Sequence, residues 1–136
     1  MSDFSVYLEN WIIDHFLRNQ AFTPPTTIYL ALFTAATGLE ANNPTAEVSG
    51  GDYARRAVAL SAASGGASSN PAEVTFPVAT APWGTVTHFA LVDHLTNTTW
   101  GTNVNVLMWS ALDAPKPIYT GNTPRFKAGE LDVTVD

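Results

Sequence analysis

Any chemistry in this chain would have to come from three histidines, a thin set of carboxylates and a few serines. His15, His88 and His94 are the only imidazoles, and there is no cysteine, so disulfides and thiolate metal sites are excluded. His88, Asp93 and His94 are residue types that ligate zinc. Along an extended strand His88 and His94 stand about 20 Å apart, so only a turn between them brings both to one ion. The competing reading makes His88 a hydrogen-bonded structural residue, and neither a metal nor any other cofactor is expected. The serines in Gly/Ala loops are Ser49 in Ser49-Gly50-Gly51, Ser61, and Ser64 in Ser64-Gly65-Gly66. None sits in a Gly-x-Ser-x-Gly elbow, and these stretches read as turns. Glu40, Glu47, Glu73, Asp113 and Glu130 show no spacing that selects a pair for glycoside hydrolysis. The glycine-rich stretches carry no phosphate-loop lysine. The chain is not expected to be an enzyme.

The aromatic residues carry more information. Trp11, Trp83, Trp100 and Trp109 stand beside seven Phe and four Tyr in 136 residues. Trp83 follows Pro82 at the start of a strand pattern, and Trp100 lies beside a Thr-rich turn. On a β scaffold such rings stack on sugars or anchor a protein interface when exposed, and otherwise fill the core; both readings stand for each ring. Only 13% of residues are charged, against about 25% in an ordinary soluble domain. The Thr, Ala, Ser, Asn and Gly that replace them suit a surface that lies against other proteins. A net charge of −6 offers no counterion-release energy, so no nucleic-acid partner is expected. No apolar run reaches the ~20 residues of a membrane span. Met1-Ser2-Asp3 lacks the positive start of a signal peptide, so a soluble chain with no membrane partner is expected.

These residues need elements to position them. Phe4, Leu8, Trp11, Ile12, His15 and Phe16 recur at three- and four-residue steps and predict an amphipathic helix over 4–19, capped by Ser2 or Asp3, carrying an Asp14–Arg18 pair and stopped by Thr23-Pro24-Pro25. Ile13 and Leu17 fall outside the stripe, so the helix is apolar over more surface than one sheet face needs, and some of it is available to another subunit. From residue 26 the pattern turns to strands. Residues 27–34 are apolar on both faces; residues 35–52 read as a loop with little for a core; residues 53–60 read as a second strand and 61–71 as another loop. Val74 and Phe76 share a short strand ended by Pro77. Residues 84–92 alternate, with Val86, His88, Ala90 and Val92 on one strand face; Val104, Val106 and Met108 alternate on the next strand, and Pro115 and Pro117 mark a break. Leu131, Val133 and Val135 close the chain in a strand with one wet face. The expectation is one domain over 1–136: an N-terminal helix over 1–22, then an antiparallel β-sandwich of six to eight short strands over 26–136.

Several segments also come in a familiar order: Tyr7 to Asn10, Asp14-His15, Tyr29 to Thr34, Glu47 to Gly51, Tyr53-Ala54-Arg55, Ala62 to Gly66, Val74 to Pro77, Trp83 to Leu91, Ala128 to Leu131 and Val133 to Asp136. Each is ordinary turn or strand chemistry alone. In this order and spacing, over almost the whole chain, the sequence resembles a family of small tailed-bacteriophage virion accessory proteins of tail-fibre-like or capsid-decoration type. The resemblance implies a structural protein of the virion, assembled in the host cytoplasm, with no catalytic residues to carry over. Its partners would be the major capsid protein or tail proteins of the same particle, and a homo-oligomer is expected. The first expectation is a capsid decoration (cement) protein gripping the outside of the head through Phe4, Trp11 and Phe16 or the loop carrying Glu40, Asn42 and Asn43. The alternative is a minor tail or fibre-associated protein that offers Trp83 and Trp100 to a receptor or glycan.

Overall fold

The computed structural model describes residues 3–135. Among them the chain runs β1 (Asp3–Phe4), α1 (Val6–Ile12) continued by a π-helical turn (Ile13–Leu17), β2 (Ile28–Phe33), β3 (Arg56–Val58), β4 (Ala67–Ser69), β5 (Val74–Thr75), β6 (Gly84–Val92), β7 (Val106–Ile118), β8 (Arg125–Phe126) and β9 (Asp132–Thr134). The strands form one five-stranded sheet in the order β1-β7-β6-β2-β3 and two ribbons, β4-β9 and β5-β8. Every pairing is antiparallel. The architecture is mostly β with one N-terminal helix, as the patterning predicts.

The five-stranded sheet is covered on both faces, which is why β2 is apolar throughout. Leu30 and Leu32 join Phe89, Leu91 and Met108 in the main core, closed by Val74, Phe76, Leu131 and Val133 from the ribbons and their flanks. Ala31 and Phe33 point the other way, with Ala90, Val92 and Val106, under Leu39 and Val104. Leu39 and Val48 are buried, so the segment 35–52 contributes to both cores where a bare loop was expected. Glycine makes that possible: at Gly38 φ is +80°, and a Cβ would lie 2.0 Å from the Asn43 carbonyl oxygen.

Other departures have equally local causes. The strand expected over 53–60 shrinks to Arg56–Val58, because positive φ at Gly50, Gly51 and Asp52 turns the chain and aims Tyr53 and Arg55 inward. The loop expected over 61–71 contains β4, since a turn at Gly65-Gly66 carries Ala67–Ser69 back to pair with β9. Val86 does not share a face with Ala90 and Val92: a register shift between Val86 and His88 moves it into the main core. A second shift opposite Leu91/Val92 leaves Leu107 as the extra residue, so Met108 does not share a face with Val104 and Val106 as the alternation predicts but joins Leu107 in the main core. The break expected at Pro115 and Pro117 is an excursion within β7, where Thr87 alone stands opposite residues 112–115.

Candidate partner-binding site

The N-terminal arm begins as a strand rather than a helix. Asp3 and Phe4 pair with Trp109 and Met108 on β7, and the half-buried Phe4 ring packs on the main core. Phe4, expected as a contact residue, is therefore at the root of the arm. The helix cap is Ser5, extended at φ −69° and ψ 158°, whose Oγ accepts from the Leu8 N–H at 3.3 Å. Ser2, the alternative cap, lies outside the described residues; Asp3 serves the strand. Ser5 is wholly buried, its N–H bonded to the Leu107 carbonyl at 3.0 Å and its hydroxyl to the Val106 carbonyl. The Val6 N–H donates to the Glu40 carbonyl at 2.9 Å, which ties the arm to the 35–52 segment as well.

Beyond this root the arm holds itself together. Tyr7 and Leu8 lean on the main core, and then α1 runs into the π-helical turn, which packs on no strand. Arg18 Nη1 meets Asp14 Oδ1 at 2.8 Å, the Gln20 N–H reaches back to the Asp14 carbonyl at 2.9 Å, and Asn19 adopts φ 57° between them. His15 Nδ1 lies 2.8 Å from the Gln20 carbonyl, to which it donates. The returning chain brings Phe22 against Trp11 (4.7 Å between ring centroids) and His15 (6.3 Å). This clasp occupies the inner side of the arm and leaves Ile13, Phe16 and Leu17 outward, at 50%, 75% and 79% exposure. Of the expected contact residues here, Phe16 is exposed and Trp11 is half-buried in the clasp. Ile13 and Leu17 were not singled out as contact residues, although their position off the apolar stripe was the available signal.

The other expected contact residues are mostly engaged within the chain. Glu40 is exposed, yet its carboxylate accepts from Trp109 Nε1 at 3.0 Å. Asn42 accepts from the Val106 N–H at 2.7 Å and donates to Asn105 Oδ1 at 2.9 Å, and Asn105 in turn donates to both Asp93 oxygens. These bonds lock the 35–52 segment onto β7. Asn43 remains exposed. Trp83 is 5% exposed, its Nε1 donating to the Gly51 carbonyl at 2.8 Å and its ring packed edge-on against Tyr53 and Phe76. It fills the main core. Trp100 is half-buried, edge-on to Phe33 and under the Arg55 guanidinium at 5.1 Å.

That guanidinium centres a polar knot to which the sequence reading assigned no role. Arg55 Nε and Nη2 each bond the Glu47 carboxylate at 2.7 Å, and Nη1 donates to the His94 and Asn97 carbonyls at 2.9 and 2.8 Å. Burial opposes the charge on Arg55, but the bonds and charge of Glu47 more than offset it and raise its pKa. The Tyr53 hydroxyl donates to Glu47 Oε2 at 2.8 Å and accepts from the Leu32 N–H at 3.0 Å. Burial first, then the Glu47 charge, push that phenol well above its ordinary pKa. Every strong group is partnered, so the knot is a fastener for the turn at 94–97. His94 Nδ1 accepts from the Thr96 and Asn97 N–H groups in that turn, while His88 Nδ1 is bonded to Thr87 Oγ1 on β6. Among the described residues no three of His, Asp and Glu converge on a point where a metal would sit.

The arm thus presents exposed apolar residues, while the polar groups described above are engaged within the chain. The family model described as podophage GP4 fiber I protein gp80 matches residues 3–134, and the chain belongs to this family of phage fibre proteins. The resemblance to tailed-phage virion proteins is thereby met on its fibre side. No curated protein matches the chain.

Proposed function

We propose that this chain is a minor tail or fibre-associated structural component of a podophage particle, built in through its N-terminal arm, and that it does no catalysis. The observation that carries the reading is the arm itself: a rooted, self-clasped projection with Phe16 and Leu17 outermost, at 75% and 79% exposure. Burying two such side chains against a partner is worth about 1.5–3 kcal/mol each, enough to make them anchors of an interface. The fibre-family match supports the tail side of the two readings formed from the sequence; nothing comparable supports capsid decoration. Glycan recognition by Trp83 has no support, since that ring is interior.

The test is incorporation. Phage carrying Phe16→Ser with Leu17→Ser should assemble particles that lack this chain, while the variant protein accumulates folded in the lysate. Quantitative mass spectrometry of wild-type particles should find it at the copy number of tail proteins. Stoichiometry matching the major capsid protein would restore the decoration reading, and full incorporation of the double variant would remove the arm from the interface.

A further inference from the structure

The five-stranded sheet has two ends at which a further strand could pair. At one, β7 runs on past β1, which covers it only at Met108 and Trp109. Among the described residues no strand lies beside residues 112–118 on the side away from β6. At the other end β3 is the last strand, three residues long, and β5 touches it without pairing. A row of unpaired backbone groups at a sheet edge is a template for a strand of another chain. The residues at these two ends work against such pairing. Pro117 stands opposite Thr85. Having no N–H, it fits only a non-hydrogen-bonded pair, so the N–H groups of Lys116 and Ile118 face β6 and the Pro117 nitrogen faces out. Pro115, two residues earlier, has the same parity. The outer edge therefore presents proline where a further strand needs donors, and the excursion at 112–115 bends it just before. Residues 113–117 are all exposed.

A cation completes each end. Residues opposite one another on paired strands share a face. Lys116 stands opposite Val86, and Val86 and Ile118 both belong to the main core. Arg56 stands opposite Leu30, and Leu30 and Val58 belong to the same core. Lys116 and Arg56 thus lie on the core face of the sheet, yet both are exposed, because no strand follows them. Among the described residues neither forms an ion pair. We infer that Pro115, Lys116 and Pro117 at one end, and Arg56 at the other, are edge guards that stop copies of this chain from joining by sheet extension. The inference is independent of the arm. A strand added at either end would press an unpaired cation out of water. Joining β7 to β7, β3 to β3 or β7 to β3 in one continuous sheet would also put two such cations on the same face of the joint, where like charges repel. Copies of the chain therefore meet through side chains and not through a shared backbone ladder.

The test compares the full wild-type chain with an edge variant, Pro115→Thr with Lys116→Val and Pro117→Thr, by sedimentation velocity at matched concentrations. Thermal melting followed by circular dichroism confirms that both are folded. The variant should sediment at twice the mass of the wild type, because β7 of one copy pairs antiparallel with β7 of another and that two-fold contact closes. Hydrogen exchange read residue by residue by NMR should find the amides introduced at 115 and 117 protected. A mass equal to the wild type up to the solubility limit overturns the guard at β7. So does a heavier species in which those two amides exchange as in an unstructured peptide, since the copies would then be meeting elsewhere. Adding Arg56→Val should carry growth beyond the doubled mass, because both ends are then open; a mass that stays doubled overturns Arg56 as the second guard. If the edge variant does not fold, Lys116→Val with Pro117→Thr leaves the excursion intact and is judged by the same mass and the same protection at 117.

Discussion

Replacing Arg55 with Met should destabilise this protein more than any other single change at a charged residue. Methionine is close to arginine in length and fills most of the space, but it removes four hydrogen bonds of 2.7–2.9 Å and the cation over Trp100. What it leaves behind is costlier. The Glu47 side chain is only 13% exposed, and its carboxylate would keep only the Tyr53 hydroxyl as partner. Breaking a buried ion pair from one side costs about 3–5 kcal/mol. A chain of this size has a total stability of roughly 5–15 kcal/mol, so about a fifth or more is at stake. At roughly 3–5 °C per kcal/mol the melting temperature should fall by about 10–20 °C. Urea unfolding followed by tryptophan fluorescence and by circular dichroism reads the loss directly, as a lower midpoint at unchanged slope. Glu47→Leu combined with Arg55→Met should recover part of it, because no charge is then left buried. A loss below about 1 kcal/mol for Arg55→Met, the range of an exposed pair, would falsify the view of this knot as a buried fastener.

The remaining expectations concern the arm, one turn and the alkaline limb. Ser5→Ala removes the helix cap and a buried bond to Val106, so it should cost about 1–2 kcal/mol and speed amide hydrogen exchange in residues 6–17 while β6 stays protected. Phe16→Ser with Leu17→Ser should change stability by no more than about 0.5 kcal/mol per site, because both side chains already face water; a large loss would mean they support the fold. Gly38→Ala forces a left-handed residue against the Asn43 carbonyl and should cost at least about 1–2 kcal/mol, seen as a lower urea midpoint. The raised pKa of Tyr53 means that its contribution is complete below the unfolded tyrosine value of about 10 and is lost as pH rises towards the folded value. Melting temperature should therefore fall above pH ~10, and less steeply in Tyr53→Phe.

Much of this fold was legible before any tertiary contact was known. β2 was visible because a strand buried on both faces has no polar side to show. β6 was found to the residue at both ends, and the prolines after the helix marked its limit because they cannot continue one. Period-two alternation assumes an unbroken ladder, however, so the register shifts at Thr87 and Leu107 reassigned Val86 and Met108 without leaving a mark in the pattern. The candidate site divides in the same way. Composition alone indicated a protein that works by contact, and helical spacing located an apolar arm with Phe16 on it, because both depend on residue type and local period. Which residues face out was decided elsewhere. Phe22 closes over Trp11 from eleven positions away, Met108 and Trp109 draw Asp3 and Phe4 into a strand, and Gly51 receives the Trp83 N–H from across the core. Arg55 meets Glu47 through a turn and the 94–97 carbonyls through a chain reversal. An aromatic or a charge is read as exposed or buried only through partners that the chain supplies from far along its length, and those exist only once it has folded.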